Sequence, residues 1–205
     1  MTTTIELFNG RDLTGWEDHK NPHLWTVADG MIVGTSEAGK MSNLSTHTQY
    51  GDFELSFEYN ADAKVNSGVF LRVSDLDDEV HTGLEIQILD TYGKEPPLEK
   101  GDSGALYDMI APSTNPLNPA GEWNRMRLRC EGPRVEIELN GVLVVEADLD
   151  LFDTPGMNPD GTSNKFKYAW KTMPRMGHIG LQTHAGMGGL SDLKIRFRNL
   201  VVQTL

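Results

Sequence analysis

The chain is poor in cysteine: it has one, Cys130, among 205 residues. A single cysteine cannot form an internal disulfide and cannot supply a cysteine zinc site. Cys130 alternates with Met126 and Leu128, an arrangement typical of a small buried side chain on one face of a strand. We therefore predict a structural role for Cys130 and not a nucleophilic one.

The chain is also short of positive charge. It has 18 lysines and arginines against 30 aspartates and glutamates, a formal net charge of −12. Binding to nucleic acid depends mainly on neutralisation of phosphates by basic side chains, and anionic membrane surfaces attract the same residues. We expect neither nucleic acid nor a membrane surface as a partner.

Long hydrophobic runs are missing as well. No apolar stretch approaches the roughly 20 residues that a membrane-spanning helix needs. The first residues, Met-Thr-Thr-Thr-Ile-Glu-Leu, lack the basic and apolar regions of a signal peptide. The expectation is a soluble protein of the cytoplasm, unless a leader was removed.

Alternation of apolar and polar residues dominates the rest of the chain. In Phe53–Tyr59, the apolar side chains fall on one face and Glu54, Ser56 and Glu58 on the other, which predicts a half-buried strand. Asn140-Gly141 is a strong signal for a tight hairpin. The 21 glycines and 10 prolines indicate many turns, and no change of composition marks a domain boundary, so residues 1–205 are predicted to form one all-β domain, an antiparallel β-sandwich or jelly roll. Further strands are predicted over Val69–Val73, Leu84–Leu89, Met126–Cys130, Val135–Leu139, Val142–Glu146, Ile179–His184 and Leu193–Val202.

Two stretches do not fit strands, Lys94–Glu122, which contains five prolines, and Asp148–Arg175. Both are long for connections without regular structure, and such segments are usually functional or bind a partner.

The segment Glu85-Ile86-Gln87-Ile88-Leu89-Asp90 carries the most chemical information. Its spacing resembles the Glu-x-Asp-x-x-Glu strand of retaining β-glucanases with a jelly-roll fold, whose two end carboxylates do the chemistry. Gln87 stands in place of the aspartate and Asp90 in place of the second glutamate. A bulge near Ile88-Leu89 would turn Asp90 back beside Gln87. The alternative is a half-exposed strand whose polar residues face solvent.

Other polar residues extend this candidate site. Arg72 occupies the polar side of an apolar strand, where its guanidinium either pairs with Glu85 or offers donors to ligand oxygens. His184 ends a strand that also carries Gln182, and we favour it as a general base or ligand. Asn66-Ser67-Gly68 is predicted to be a turn capped by the asparagine.

Aromatic residues in the irregular stretches leave two interpretations open. Trp170 is either a platform on which a sugar stacks or the hydrophobic anchor of its own loop, and Tyr107 is ambiguous in the same way. The histidine spacing shows no His-x-His or His-x-x-x-His pair, so a strong transition-metal signature is absent.

Eight segments distributed along nearly the whole chain form a common pattern: Leu7–Trp16, Tyr50–Leu55, Asn66–Arg72, Glu85–Asp90, Gly104–Tyr107, Gly121–Asn124, Asn140-Gly141 and Gly180–His184. Their order and spacing resemble the 3-keto-disaccharide hydrolase family, which has a concanavalin A-like lectin/glucanase jelly roll. The resemblance is specific for the family and not for a substrate. Apart from Gly104–Tyr107, it does not extend to residues 94–118 or 149–175.

The resemblance implies a hydrolase that acts on 3-keto-glycosides. Oxidation at C3 of a sugar makes the C2 proton acidic, so a base can remove it, the C1 substituent leaves by β-elimination, and water adds back. Under this hypothesis, Glu85 or His184 removes the proton, and Arg72 and Gln87 hold the keto oxygen and hydroxyl groups. Asp90 and Tyr107 orient the site or protonate the leaving group.

The resemblance also implies a carbohydrate partner and a site on the concave face of a sheet. Asn66, Gln182 and Trp170 are the further candidate substrate contacts. Asp90 together with Glu85 is a candidate pair of ligands for a divalent cation that would polarise the ketone. The main alternative is a carbohydrate-binding jelly roll without catalysis, and a third interpretation is a sandwich whose long loops bind a protein.

Overall fold

The computed structural model describes residues 2–205. Within this range, one short helix, α1 (Glu79–Thr82), and three single-turn 3₁₀ helices accompany the strands. None of these helices has the length and apolar character needed to cross a membrane. The strands are β1 (Thr4–Glu6), β2 (Trp16–Glu17), β3 (Trp25–Ala28), β4 (Met31–Thr35), β5 (Met41–Thr46), β6 (Phe53–Ala61), β7 (Asn66–Val73), β8 (Leu84–Leu89), β9 (Trp123–Glu131), β10 (Arg134–Leu139), β11 (Val142–Asp148), β12 (His178–His184) and β13 (Lys194–Thr204).

The strands form two antiparallel sheets. The eight-stranded sheet has the order β11-β10-β9-β6-β13-β4-β3, with β1 paired to β13, and the five-stranded sheet has the order β2-β5-β12-β7-β8. Neighbouring strands are often distant in sequence, which is typical of a jelly roll and not of a simple meander. The predicted all-β sandwich is confirmed.

The core lies between the two sheets and follows the predicted alternation. Phe53, Leu55, Phe57 and Tyr59 are each no more than 1 % exposed and face the buried side chains of the five-stranded sheet. Cys130 is fully buried in the same core, and burial raises the pKa of its thiol to about 11. Its environment is that of the structural side chain predicted from the sequence.

The hairpin at Asn140-Gly141 also agrees with the sequence. Asn140 has φ 50° and Gly141 φ 80°, the pair of positive values that a type I′ turn requires and that asparagine and glycine tolerate best. The turn joins β10 to β11 at the edge of the eight-stranded sheet.

Two features of the strand pattern differ from expectation. The alternation in the sequence does not reveal strands β1 to β5, because they are short and because β5 buries polar residues such as Ser42 and Asn43 instead of alternating. Asn66-Ser67-Gly68 is not a turn: all three residues lie in β7 and pair with both β8 and β12.

The two irregular segments, 94–122 and 148–175, contact each other above the five-stranded sheet. The Lys165 amide donates to Oδ2 of Asp108 at 2.6 Å, and Nδ2 of Asn158 donates to the Asp108 carbonyl at 3.1 Å. The first segment also covers the β8 edge, since the Gln87 amide donates to the Ala105 carbonyl at 3.0 Å. Together the segments wall one side of the outer face of this sheet.

Candidate active site

The outer face of the five-stranded sheet carries a group of polar side chains. Cross-strand partners in an antiparallel pair project from the same face. Gln182 of β12 lies opposite Gly68 of β7, which lies opposite Gln87 of β8. The register therefore brings side chains from three strands onto one surface, whereas their sequence neighbours Leu181 and Ile86 point into the core.

These side chains line an open cavity of about 340 Å³. The apolar parts of its wall come from Met41, Val80 and Leu89. Six of the nine residues predicted from the sequence contribute to it, namely Asn66, Glu85, Gln87, Tyr107, Gln182 and His184.

Glu85 is the most buried ionisable group of the cavity, with 7 % of its surface exposed. Nε2 of Gln182 donates to its Oε1 at 3.2 Å, and Nζ of Lys165 lies 3.5 Å from its Oε2. Burial raises the pKa of the Glu85 carboxyl, and the neighbouring Lys165, Gln182 and His184 oppose part of that rise. A carboxylate with a raised pKa is a better proton acceptor near neutral pH than an exposed one.

An amide chain connects Gln87 to His184. Nε2 of Gln87 donates to Oδ1 of Asn66 at 2.9 Å, and Nδ2 of Asn66 lies 3.3 Å from Nδ1 of His184. The same Nδ1 lies 3.0 Å from the Ala185 carbonyl. In the tautomer in which Nδ1 accepts from Nδ2 of Asn66, Nε2 of His184 carries the proton and can donate it.

Gly68 keeps the floor of the cavity open between these groups. A Cβ atom there would lie 3.1 Å from the Ile86 carbonyl oxygen, 3.4 Å from Oε1 of Gln182 and 3.5 Å from Cγ of Glu85. The missing side chain therefore leaves space directly between the carboxylate and the amides.

Tyr107 and Lys165 come from the two irregular segments. The Tyr107 amide donates to the Glu85 carbonyl at 2.9 Å, which fixes the tyrosine beside β8. Nζ of Lys165 lies 4.1 Å from the centre of the Tyr107 ring, a cation–π distance. Sequence reasoning missed Lys165, because a lysine in an irregular stretch is ordinarily a solvated surface residue and only the contact between the two segments brings it to Glu85.

Arg72 is not part of this cavity, contrary to the sequence prediction. Its side chain is 2 % exposed, and its guanidinium donates to the Gly51 carbonyl at 2.9 Å, the Gly132 carbonyl at 2.7 Å and Asp52 at 2.9 Å. The cause is an irregularity: the β7–β12 register shifts here, and Arg72 has φ 53°, so its side chain leaves the strand alternation. Arg72 therefore contacts the β9–β10 turn and does not pair with Glu85.

Asp90 is also turned away from the cavity. The β7–β8 register runs without a shift from Leu84 to Leu89, so the bulge that would bring Asp90 beside Gln87 does not form. Its Oδ2 accepts from the Lys64 amide at 2.7 Å and holds the turn before β7. Glu85 and Asp90 do not form the predicted pair of cation ligands, and within residues 2–205 no group of three or more His, Cys, Asp or Glu side chains could hold a metal.

Trp170 is a loop anchor and not an exposed stacking platform. It is 3 % exposed, and its ring packs edge-on against Phe166 with ring centres 5.1 Å apart. The second of the two interpretations of Trp170 is therefore correct. The packing holds the stretch that carries Lys165 against the body of the protein.

A larger open depression, about 590 Å³, lies at the β9–β10 part of the eight-stranded sheet and is lined by Arg125, Arg127 and Glu138. Arg127 is already paired, at 2.9 Å with Glu54 and 2.6 Å with Glu138. Neither a buried carboxylate nor a histidine lines it. We therefore place the candidate active site in the cavity around Glu85.

The chain is similar to several known proteins. It is 25 % identical to a 3-keto-disaccharide hydrolase from Bacteroides thetaiotaomicron over 98 % of this chain and 78 % of that protein. Among solved structures, a candidate glycosyl hydrolase from Parabacteroides distasonis is 29 % identical, with a TM-score of 0.84 over 99 % of this chain and 100 % of the other. The carbohydrate-binding module CBM66 from Bacillus subtilis shares the fold, at 13 % identity and a TM-score of 0.56 over 93 % and 96 % of the two chains.

The comparison with family models covers almost the whole sequence. Residues 3–203 match the model of the 3-keto-alpha-glucoside-1,2-lyase-like domain. The chain therefore belongs to the 3-keto-alpha-glucoside-1,2-lyase-like family.

Proposed function

We propose that this protein is an enzyme that cleaves 3-keto-glycosides by elimination, in the cavity formed by β7, β8 and β12. Family membership and the name of the Bacteroides relative support a glycosidase-type activity on 3-keto sugars. The observation that carries the proposal is the buried Glu85, whose pKa is raised and whose neighbours in the cavity are amides, an ammonium, an imidazole and a phenol.

Ordinary glycosidase chemistry fits this cavity poorly. It uses two carboxyl groups about 5–5.5 Å apart in retaining enzymes or about 6.5–9.5 Å apart in inverting ones. Of the residues that line the cavity, Glu85 is the one carboxylate. Gln87 and Gln182 cannot replace a second carboxylate, because an amide neither attacks C1 nor exchanges a proton.

Elimination needs one base, and Glu85 is suited to that role. Its Oε atom takes the C2 proton, which lies next to the ketone carbon. The electron pair of the C2–H bond forms a C2=C3 double bond, and the carbonyl electrons move onto the ketone oxygen to give an enolate. Gln87, Gln182 and Asn66 supply amide donors and acceptors for the hydroxyl groups of the ring.

The second half of the reaction releases the substituent at C1. The enolate electrons return to form C3=O, C1=C2 forms, and the C1–O bond breaks. His184 protonates the departing oxygen from the other side of the cavity. The hydroxyl of a water molecule then adds to C1, Glu85 returns a solvent-exchanged proton to C2, and the remaining proton of the water restores His184, so the net result is hydrolysis.

A comparison of two sugars tests the proposal. The protein is incubated with a chromogenic 3-keto-glucoside and with the unoxidised parent glucoside. We expect chromophore release from the 3-keto compound alone, because the parent has no acidic C2 proton. Release from both sugars would contradict elimination, and binding without release would indicate a carbohydrate-binding module that lacks catalysis.

The isotope content of the product separates elimination from direct hydrolysis. In D₂O, elimination and readdition of water place deuterium at C2 of the released 3-keto sugar. Direct hydrolysis leaves hydrogen there. Short reaction times and a control with the free 3-keto sugar correct for spontaneous exchange next to the ketone.

A further inference from the structure

The cavity holds one lysine, and it comes from the irregular segment 148–175, in which the sequence identifies no charged candidate residue. Of the residues that line the cavity, Lys165 is the one lysine, and no arginine is present. Arg72, which was expected to hold the keto oxygen, instead donates a hydrogen bond to the Gly132 carbonyl in the β9–β10 turn. An enolate formed here therefore has Lys165 as its nearest source of positive charge.

Lys165 is held firmly at its backbone and loosely at its ammonium group. Its amide donates to Asp108 at 2.6 Å, and the next residue, Phe166, packs against Trp170. In contrast, Nζ is 3.5 Å from Oε2 of Glu85, longer than the about 2.7–2.9 Å of a tight ammonium–carboxylate hydrogen bond. One third of the side chain is exposed to solvent, so Nζ can change partners without breaking a strong bond.

We propose that the ammonium group of Lys165 changes partner during the reaction, from the carboxylate of Glu85 to the ketone oxygen of the substrate as that oxygen becomes an enolate. This inference rests on the proposed function. No bond to Lys165 forms or breaks: the proton passes from C2 to Glu85, the negative charge passes from Glu85 to the substrate oxygen, and Lys165 stays protonated throughout.

The charge balance of the cavity explains why this exchange is favourable. Before proton transfer, the charges of Glu85 and Lys165 compensate each other. After it, Glu85 is neutral, and the same positive charge faces the new negative one. Charge that develops in a site partly shielded from water is stabilised most by a cation that is already in position. The Tyr107 ring, 4.1 Å from Nζ, keeps the ammonium over the cavity at both stages.

Two substitutions at Lys165 test the inference with the 3-keto-glucoside. Lys165→Met keeps the length of the side chain and removes its charge, so we expect kcat to fall at least about 100-fold, the size typical for loss of one oxyanion-stabilising group. Lys165→Arg retains a charge and should recover part of that loss. The control is Lys167→Met, two residues away, which removes an exposed lysine paired with Asp78 and should leave kcat unchanged.

The rates are compared on the plateau of the pH profile, because Lys165→Met also alters the titration of Glu85. The titratable groups that face Glu85 are Lys165, Tyr107 and His184. Loss of the Lys165 charge moves the acidic limb to higher pH, whereas loss of enolate stabilisation lowers the plateau itself. Thermal unfolding of each variant verifies that it is folded at the assay temperature.

The outcomes distinguish the inference about Lys165 from the proposed function. A low plateau for Lys165→Met with partial recovery in Lys165→Arg supports the inference. An unchanged plateau for Lys165→Met overturns it while wild-type turnover of the 3-keto-glucoside preserves the proposed function. Borohydride reduction of a covalent adduct between Lys165 and the sugar, detected by mass spectrometry, also overturns it, since the ammonium would then act as an amine nucleophile. Absence of wild-type turnover overturns both proposals.

Discussion

At the scale of single residues, the proposed reaction depends on the environment of Glu85. Its carboxyl is buried below Gln182 and Lys165, and burial is the largest influence on its pKa. The active form is the carboxylate, because only that form accepts the C2 proton. Activity should therefore fall as the pH drops through a pKa above the ordinary value of about 4.3 for glutamate.

The fall of kcat/KM for the 3-keto-glucoside at low pH, which is the acidic limb of the pH profile, reports the pKa of Glu85 in the free enzyme. We expect a single acidic limb that lies above the range of exposed carboxylates. A limb at or below the ordinary glutamate pKa would show that burial does not raise the pKa of Glu85.

The same burial predicts an effect on stability. A group whose pKa is raised by folding contributes stability below its unfolded pKa and loses that contribution as the pH rises through its folded pKa. Ionised Glu85 therefore weakens the folded state near neutral pH, and a glutamine at this position cannot ionise. We expect Glu85→Gln to raise the melting temperature at neutral pH and to have little effect in acid, which thermal unfolding at the two pH values will measure. A lower melting temperature at neutral pH would contradict the prediction.

At the scale of elements, Arg72 joins the end of β7 to the β9–β10 turn of the other sheet. Its guanidinium makes three hydrogen bonds while almost fully buried. A neutral replacement leaves the Gly51 and Gly132 carbonyls without that donor. Gly177 packs against this bulge, where a Cβ would come within 2.3 Å of the Arg72 carbonyl carbon, so the local backbone has little room to adjust.

Arg72→Met should lower the free energy of unfolding by about 3 kcal/mol, the order expected when buried hydrogen bonds to a charged group are lost. Chemical denaturation measures this loss. The folded fraction should keep its kcat, because Arg72 does not reach the cavity. A lower kcat for fully folded Arg72→Met would show that Arg72 contributes to the active site.

Trp170 lies in the second irregular segment and, unlike Arg72, is expected to affect kcat as well as stability. Its ring packs against Phe166, next to Lys165, so Trp170→Ala should lower the free energy of unfolding by about 3–5 kcal/mol and also release Lys165 from its position. We expect kcat to fall even at temperatures where the variant is folded. A variant that is destabilised but keeps kcat would show that the anchor does not position Lys165.

At the scale of the whole molecule, the sandwich could be predicted because alternation is a local property. Phe53–Tyr59 and Val135–Leu139 show it in a few consecutive residues, and Asn140-Gly141 shows the turn. Strand β5 could not be predicted in this way, because its buried polar groups bond to partners distant in sequence: the Ser42 hydroxyl accepts from Trp25, and Nδ2 of Asn43 donates to Glu79.

In the candidate site, too, the residues on regular strands could be predicted from the sequence and the others could not. Glu85, Gln87, Gln182 and His184 lie on regular strands, and their side of the sheet follows from counting residues. The predictions for Arg72 and Asp90 were wrong. The side chain of Arg72 leaves the strand alternation because the β7–β12 register shifts there, and Asp90 stays away from Gln87 because the expected bulge in β8 does not form. Lys165 depends on how two long irregular segments pack together, and no local pattern encodes that contact.

The most direct test of the central claim is the turnover of a 3-keto-glucoside by Glu85→Gln, compared with wild type and with Glu136→Gln, an isosteric change on the eight-stranded sheet that has no part in the cavity. We predict that Glu85→Gln folds but releases no product above background, since the amide cannot accept the C2 proton, whereas Glu136→Gln matches wild type. Wild-type turnover by folded Glu85→Gln would show that another group removes the proton and would contradict the account.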